Sequence, residues 1–165
     1  MTPVAGPSAD DTQDATDYVA ITRLQNAYAD AVTRRAWAEF HEMFTHGAPV
    51  RVDTVTNPVI ELTGPQEVGD FIGDAVERFE FFEFVPLSTR VQLRAGGDPD
   101  RATARLYICE LRQDAASGHA TQAFGVYQDE YRRVDGRWWF SRRDYQSLAR
   151  SGRGEVFAFP ADPFS

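Results

Sequence analysis

The sequence has no lysine: all 17 basic residues in its 165 are arginine. Schiff-base chemistry, covalent attachment of pyridoxal phosphate and the phosphate-binding loop each need a side-chain amine, so all three are excluded. Cysteine is nearly absent as well. Cys109 stands alone, forms no internal disulfide and fits a reducing, cytoplasmic location. The three histidines, His41, His46 and His119, lack the close spacing of a zinc site, so no metal is expected. There is no run of 18 apolar residues, and the opening MTPVAGPSADDTQDAT has neither the basic start nor the apolar stretch of a secretion signal. Positive charge is also in deficit: 17 basic residues face 25 acidic ones, a formal net charge of −8. Such a chain repels phosphate backbones and anionic lipid headgroups, so neither nucleic acid nor a membrane is expected as partner.

The length suits one domain with a single sizeable core. Residues 1–16 read as a disordered tail, 17–149 as the domain and 150–165 as an extended tail whose aromatics dock on it. From Asp17 the apolar stripe Tyr18, Ile21, Leu24, Tyr28 and Val32 recurs at three- and four-residue steps, which predicts an amphipathic helix over 17–34. A second helix over 36–45 would carry Trp37, Phe40 and Phe44 on one face, with Gly47 ending it. PVRVDTV and PVIEL flank Thr56-Asn57 as a hairpin, and Val68, Phe71, Ile72 and Val76 predict a third helix over 65–79. Four long strand-like segments follow, rich in β-branched and aromatic residues; the last two are joined by Asp135-Gly136, the favoured pair for a two-residue hairpin loop. Helices first and a meander of strands afterwards imply an α+β domain, with a curved, mainly antiparallel sheet packed on three helices.

Three stretches, YADAVTRRAWAEFHEMF, TRVQL with DRATARLY, and GVYQDEYRRVDGRWWFSRR, in this order and spacing, resemble the SnoaL-like branch of the nuclear-transport-factor-2-like superfamily. The resemblance covers about residues 17–148. It implies a cone-shaped α+β barrel, a deep apolar pocket, no cofactor, and often a homodimer. Family dehydratases move protons with a buried Asp and one or two His, groups whose pKa a pocket can tune. By the resemblance the Asp position falls on Thr33, four residues before Trp37, and the His position falls on Phe84, five before Thr89-Arg90. Gln122 and Phe124 stand where relatives carry an acid or an imidazole. None of these four ionises near neutral pH, so the usual Asp/His set is missing.

The implied pocket keeps Tyr28, a phenol able to donate to a ligand carbonyl. Its candidate lining is Tyr28, Thr33, Trp37, Phe84, Gln122 and Phe124, and the remaining candidates for catalysis are Tyr28, Glu110 and His41. Two readings of Glu110 stay open, a desolvated base or an Arg-paired carboxylate on the outer sheet face. In the strand before the Asp135-Gly136 turn, Gln122, Phe124, Val126 and Gln128 share one face, and Thr121, Ala123, Gly125, Tyr127, Asp129 and Tyr131 share the other. By the resemblance the Phe124 face is the pocket wall and the Tyr127 face meets a partner subunit, with Tyr127 and Tyr131 expected at the centre of a sheet-to-sheet homodimer. Arg132, Arg133, Arg137, Arg142 and Arg143 with Asp129, Asp135 and Asp144 are expected as solvated cross-strand pairs. The function expected is cofactor-independent enclosure of a hydrophobic small molecule of steroid, polyketide or terpenoid type, with or without isomerisation, cyclisation or dehydration. The alternative is a non-catalytic dimeric binding or interaction domain with a filled cone.

Overall fold

In a computed structural model that describes residues 8–161, helix α1 (Ala9–Arg34) and a 3-10 helix (Trp37–Glu42) precede a short hairpin of β1 (Pro49–Asp53) and β2 (Ile60–Thr63). Helix α2 (Gly64–Val76) follows, then the long strands β3 (Phe79–Leu93), β4 (Arg101–Asp114), β5 (Ala120–Val134) and β6 (Arg137–Arg150), and the two-residue β7 (Glu155–Val156). All seven strands form one sheet in the order β2-β1-β6-β5-β4-β3, with β7 paired to β6. Among the described strands β1 and β6 pair in parallel and the others antiparallel, with one further parallel bridge between Phe44 and Phe140. The α+β class and the curved, mainly antiparallel sheet are those expected from the order of elements.

All three helices differ from expectation: the third, expected over 65–79, ends at Val76, and Phe79 opens β3. Helix α1 begins at Ala9 and not at Asp17, because Ser8 and Asp11 form a reciprocal capping box: the Ser8 hydroxyl accepts from the Asp11 amide at 3.1 Å and the Asp11 carboxylate accepts from the Ser8 amide at 3.0 Å. Of the expected disordered tail, residues 1–7 lie outside the described residues and 9–16 are helical. Asp17 is therefore not a helix start but an anchor, buried where it accepts two bonds from Arg133 (2.8 and 2.9 Å) and one from Trp138 Nε1 (2.9 Å). The expected second α-helix is a 3-10 helix of six residues, whose Phe40 is fully buried.

Gly64 shows why α2 starts where it does. Its φ is +76°, its N–H donates to the Ala48 carbonyl at 2.8 Å, and a Cβ there would lie 2.4 Å from the His46 carbonyl oxygen. Only glycine permits this close turn from β2 into the helix. At the far end of the sheet, Asp135 (φ +50°) and Gly136 (φ +77°) make the two-residue loop that the sequence announced.

Strand curvature comes from irregular register. In β6, Ser141 is extra relative to β5 between the pairs Tyr131–Phe140 and Glu130–Arg142, and Leu148 is extra between Gly125–Ser147 and Phe124–Ala149. Each extra residue bends the strand and exchanges its two faces. Trp138 and Phe140 point into the core from even positions; after Ser141, Arg143, Tyr145 and Ser147 do so from odd ones; after Leu148 the inward residue is Arg150.

Candidate functional site

The concave face of the sheet, α1 and α2 enclose a cavity of about 560 Å³. Helix α2 supplies an apolar side through Val68, Phe71, Ile72 and Val76, and β3 adds Phe79, Phe82 and Phe84. The opposite side is polar: Tyr127 on β5, Arg143, Tyr145, Ser147 and Arg150 on β6, and Glu110 and Arg112 on β4. Tyr28, from the middle of α1, reaches it from below; its ring stacks on Phe40 with centroids 5.1 Å apart and meets Phe84 edge-on at 5.5 Å.

The deepest polar group is Arg143, whose side chain has no solvent exposure. Its guanidinium carbon lies 3.8 Å from the Tyr127 ring centre, 4.0 Å from that of Tyr28 and 4.4 Å from that of Phe140. Cation–π contacts of this kind gain strength where water is excluded. The partner charge is Asp129, equally unexposed, with Nε 3.0 Å from Oδ1 and Nη2 donating to Oδ2 at 3.3 Å. Asp129 Oδ2 also accepts from the Tyr131 hydroxyl (3.0 Å), which accepts from Gln25 Nε2 (2.9 Å). This chain of bonds ties β6 and β5 to α1 and fixes the arginine. Its Nη1 is left buried without a hydrogen-bond partner. An orphaned charged donor is costly, and it lies on the residue at the cavity's floor.

Burial sets the titration of the groups around it. The phenols of Tyr28 and Tyr127 are pushed above their ordinary value by desolvation, against the opposing pull of Arg143, and that of Tyr145 is pushed up to about 12. All three remain protonated donors at neutral pH. Burial also raises the Asp129 carboxyl from 3.8 to about 6, with Arg143 and the Tyr131 hydroxyl opposing it. A folded-state pKa above the unfolded one means that the folded protein holds this proton more tightly. The group's contribution to stability is therefore full below pH about 4 and is lost as pH rises through about 6. Urea midpoints of the wild type relative to Asp129→Asn should fall across that window; a flat or rising difference would show that burial does not dominate this carboxyl.

Tyr28, Phe84, Gln122 and Glu110 line the cavity; Thr33, Trp37 and Phe124 do not. Thr33 and Phe84 are nonetheless neighbours, the Thr33 hydroxyl accepting from the Phe84 amide at 3.1 Å. Trp37 packs beside Gly69 and Gly73 of α2. His41 is exposed, with Nε2 3.4 Å from Gln66 Oε1. Glu110 does not sit on the outer face: it lines the cavity, pairs closely with Arg112 and is the cross-strand neighbour of Phe84, one strand from the family's His position.

The faces of β5 are the reverse of those expected. Tyr127, Asp129 and Tyr131 are buried toward α1, so they cannot stand at the centre of an interface between subunits. Phe124 points the other way because it follows the strict alternation of β5, and Gln122 reaches the cavity only at its exposed rim. The outer face is crossed by the chain after β7, where Gln146 donates to the Ala158 carbonyl and Gln128 to that of Ala161, both at 2.7 Å, and Phe159 meets Tyr107. Gly125 belongs to the inner face, and a Cβ there would lie 2.2 Å from the Tyr145 ring. Its bare backbone lets that ring lie close against β5 while still lining the cavity. Of the arginines expected in solvated cross-strand pairs, Arg142 pairs with Asp144 at a partly exposed site, Arg132 pairs instead with Asp98 and Arg133 with Asp17 and Asp100, and the Arg143–Asp129 pair is fully enclosed.

Arg143, Asp129, Tyr127 and Tyr145 were not anticipated as site residues. Among the described residues no group of three or more His, Cys, Asp and Glu could hold a metal, and no helix is long and apolar enough to cross a membrane.

The family model described as SnoaL-like domain matches residues 13–144. Among solved structures, the hexachlorocyclohexane dehydrochlorinase LinA-type3 from Novosphingobium barchaimii LL02 is 20% identical with a TM-score of 0.74, covering 91% of this chain and 99% of its own. Rv3472, a protein of unknown function from Mycobacterium tuberculosis, is 20% identical with a TM-score of 0.70, over 96% and 87%. Aln2 from a Streptomyces species is 18% identical with a TM-score of 0.64, over 87% and 94%. At these identities the likeness is one of fold. No curated protein matches the chain.

Proposed function

The chain belongs to the SnoaL-like domain family, and from that premise we propose that it encloses an apolar small molecule bearing a carbonyl-type oxygen and moves a proton on that molecule without a cofactor. The observation that carries this reading is Arg143, a fully buried cation at the cavity wall with Nη1 unpartnered. A ligand oxygen placed there would gain a charge-assisted hydrogen bond in a dry site. The Glu110 carboxylate would take the proton from the carbon next to the carbonyl. The electron pair then moves onto the carbonyl oxygen, where Arg143 and the protonated tyrosines offset the developing charge. Return of the proton to another carbon gives an isomer, and departure of a leaving group from the adjacent carbon gives an elimination. The Asp/His pair that relatives use is replaced in this reading by Glu110, one strand away from Phe84.

A second reading, a binding domain without turnover, is favoured by the ion pair that engages Glu110 with Arg112. Solvent exchange separates the two. Cyclic ketones of increasing size, incubated with the protein in heavy water, should gain deuterium beside the carbonyl faster than with buffer. Ketones that stabilise the protein thermally yet gain no deuterium would support binding alone. Tyr28→Phe keeps the ring stacked on Phe40 and removes only a donor, so ketone affinity should fall by about 0.5–1.5 kcal/mol while the unfolding midpoint scarcely moves. Affinity unchanged by this substitution would remove Tyr28 from the binding groups. A homodimer would be built without Tyr127 and Tyr131, which are interior.

A further inference from the structure

The cavity carries a charge opposite to that of the protein around it. The chain has 17 basic residues and 25 carboxylates, yet the cavity is lined by five of those arginines, Arg78, Arg112, Arg143, Arg150 and Arg153, and by one carboxylate, Glu110. Two carboxylates outside the lining offset part of this: Asp129, 3.0 Å from Arg143, and Glu155, 3.2 Å from Arg150 and 3.9 Å from Arg153. Five positive charges then face three negative ones.

The arginines are unevenly placed. Arg143 is fully buried among the tyrosines, Arg112 and Arg150 are half-buried, and Arg78 and Arg153 are exposed with Asn57, Gln122 and Gly152 at the rim. Arg153 holds only a long contact with Glu155 and its side chain is 74% exposed. Arg112, whose Nη2 is taken by Glu110, keeps a buried Nε with no hydrogen-bond partner. Between floor and rim the walls are the apolar side chains of α2 and β3. A chamber with apolar walls and a guanidinium rim matches a molecule with an apolar body and an acidic end, because guanidinium groups bind carboxylate-type oxygens in fixed geometry and a cationic mouth draws anions inward.

We propose that the ligand is an amphipathic anion, its ring body between α2 and the sheet and its acidic group toward the rim, against Arg112 and the exposed Arg78 and Arg153. This rests on the reading of the cavity as the ligand site and adds the charge of the ligand to it.

A matched pair of dyes tests the charge apart from the site. 8-Anilinonaphthalene-1-sulfonate and N-phenyl-1-naphthylamine share one aromatic body and differ by the sulfonate. Fluorescence titration at low salt should show both dyes binding, each displaced by the other, with the sulfonate the tighter by about 10-fold or more. That advantage should shrink as salt is raised to several hundred millimolar. In Arg153→Gln/Arg78→Gln, two exposed positions whose change leaves the core intact, the sulfonate should lose at least half of its advantage and the neutral dye should bind as before. Equal affinity for the two dyes in the wild type would overturn the anionic ligand and leave the cavity reading standing. Failure of both dyes to bind would overturn the two together.

Discussion

Arg143→Met is expected to lower the stability of the fold by about 3–5 kcal/mol at neutral pH and to abolish ketone binding. Methionine fills much of the same volume against the rings of Tyr28, Tyr127 and Phe140, so loss of packing is the smaller effect. The larger one is that Asp129 stays behind, unexposed, without the cation 3.0 Å away that offsets its charge. Removing one partner of a buried pair strands the other, whereas removing both strands nothing. The double variant Arg143→Met/Asp129→Asn should therefore recover at least half of the lost stability, since the asparagine amide carries no charge and its oxygen still accepts from the Tyr131 hydroxyl. Ketone binding should not return with it, because the donor at the cavity floor is gone. Urea unfolding measures the first effect and ligand titration the second. The penalty of the single variant should shrink as pH is lowered, where a protonated Asp129 has no charge to strand. A double variant as unstable as the single one would mean that the pair does not hold this region together.

The legible and the illegible parts of this protein divide at the strand bulges. Periodicity along α1 marks Tyr18, Ile21, Leu24, Tyr28 and Val32 as one face; the last four are buried, whereas Tyr18 is exposed. The Asp135-Gly136 turn, the helix over 64–76 and the long meander were equally open to reading, because each depends on local chemistry. Arg143 was not. Counting alternate residues from Trp138 and Phe140 turns Arg142 inward and Arg143 outward, and only the extra residue Ser141 reverses them. Nothing in SRRD announces a bulge. The opposite assignment of β5 had a different origin: β5 alternates strictly, but with aromatic residues on both faces nothing within the strand chose the inner one. The start of α1 could have been read, since Ser8 and Asp11 stand three apart ahead of a helical stripe. Glu110 was visible as a residue, but whether it faced the cavity depended on pairing with Phe84, a contact between strands that periodicity within one strand does not contain.

Glu110→Gln should slow deuterium exchange into bound ketones by about 10²–10⁴-fold, the usual range for removing a general base, and should leave ketone affinity within about 3-fold of the wild type. Glutamine has the shape of glutamate and can still accept from Arg112, so the cavity wall keeps its form while the group that holds the abstracted proton is lost. The same change strips the lining of its single carboxylate and leaves five arginines. Affinity for the sulfonated dye should consequently hold or rise while exchange collapses. A purely structural role for Glu110 would give a different pattern, with both affinities and the unfolding midpoint falling together. If exchange in the Glu110→Gln protein persisted at the wild-type rate, the base would have to be sought elsewhere. Asp129 is sealed behind Arg143, and His41 is exposed on the 3-10 helix outside the cavity. Neither reaches a ligand between α2 and the sheet, so exchange that persisted in this variant would overturn the assignment of proton transfer to Glu110, whereas bound ketones that gain no deuterium even with the wild type would leave binding as the function of the pocket.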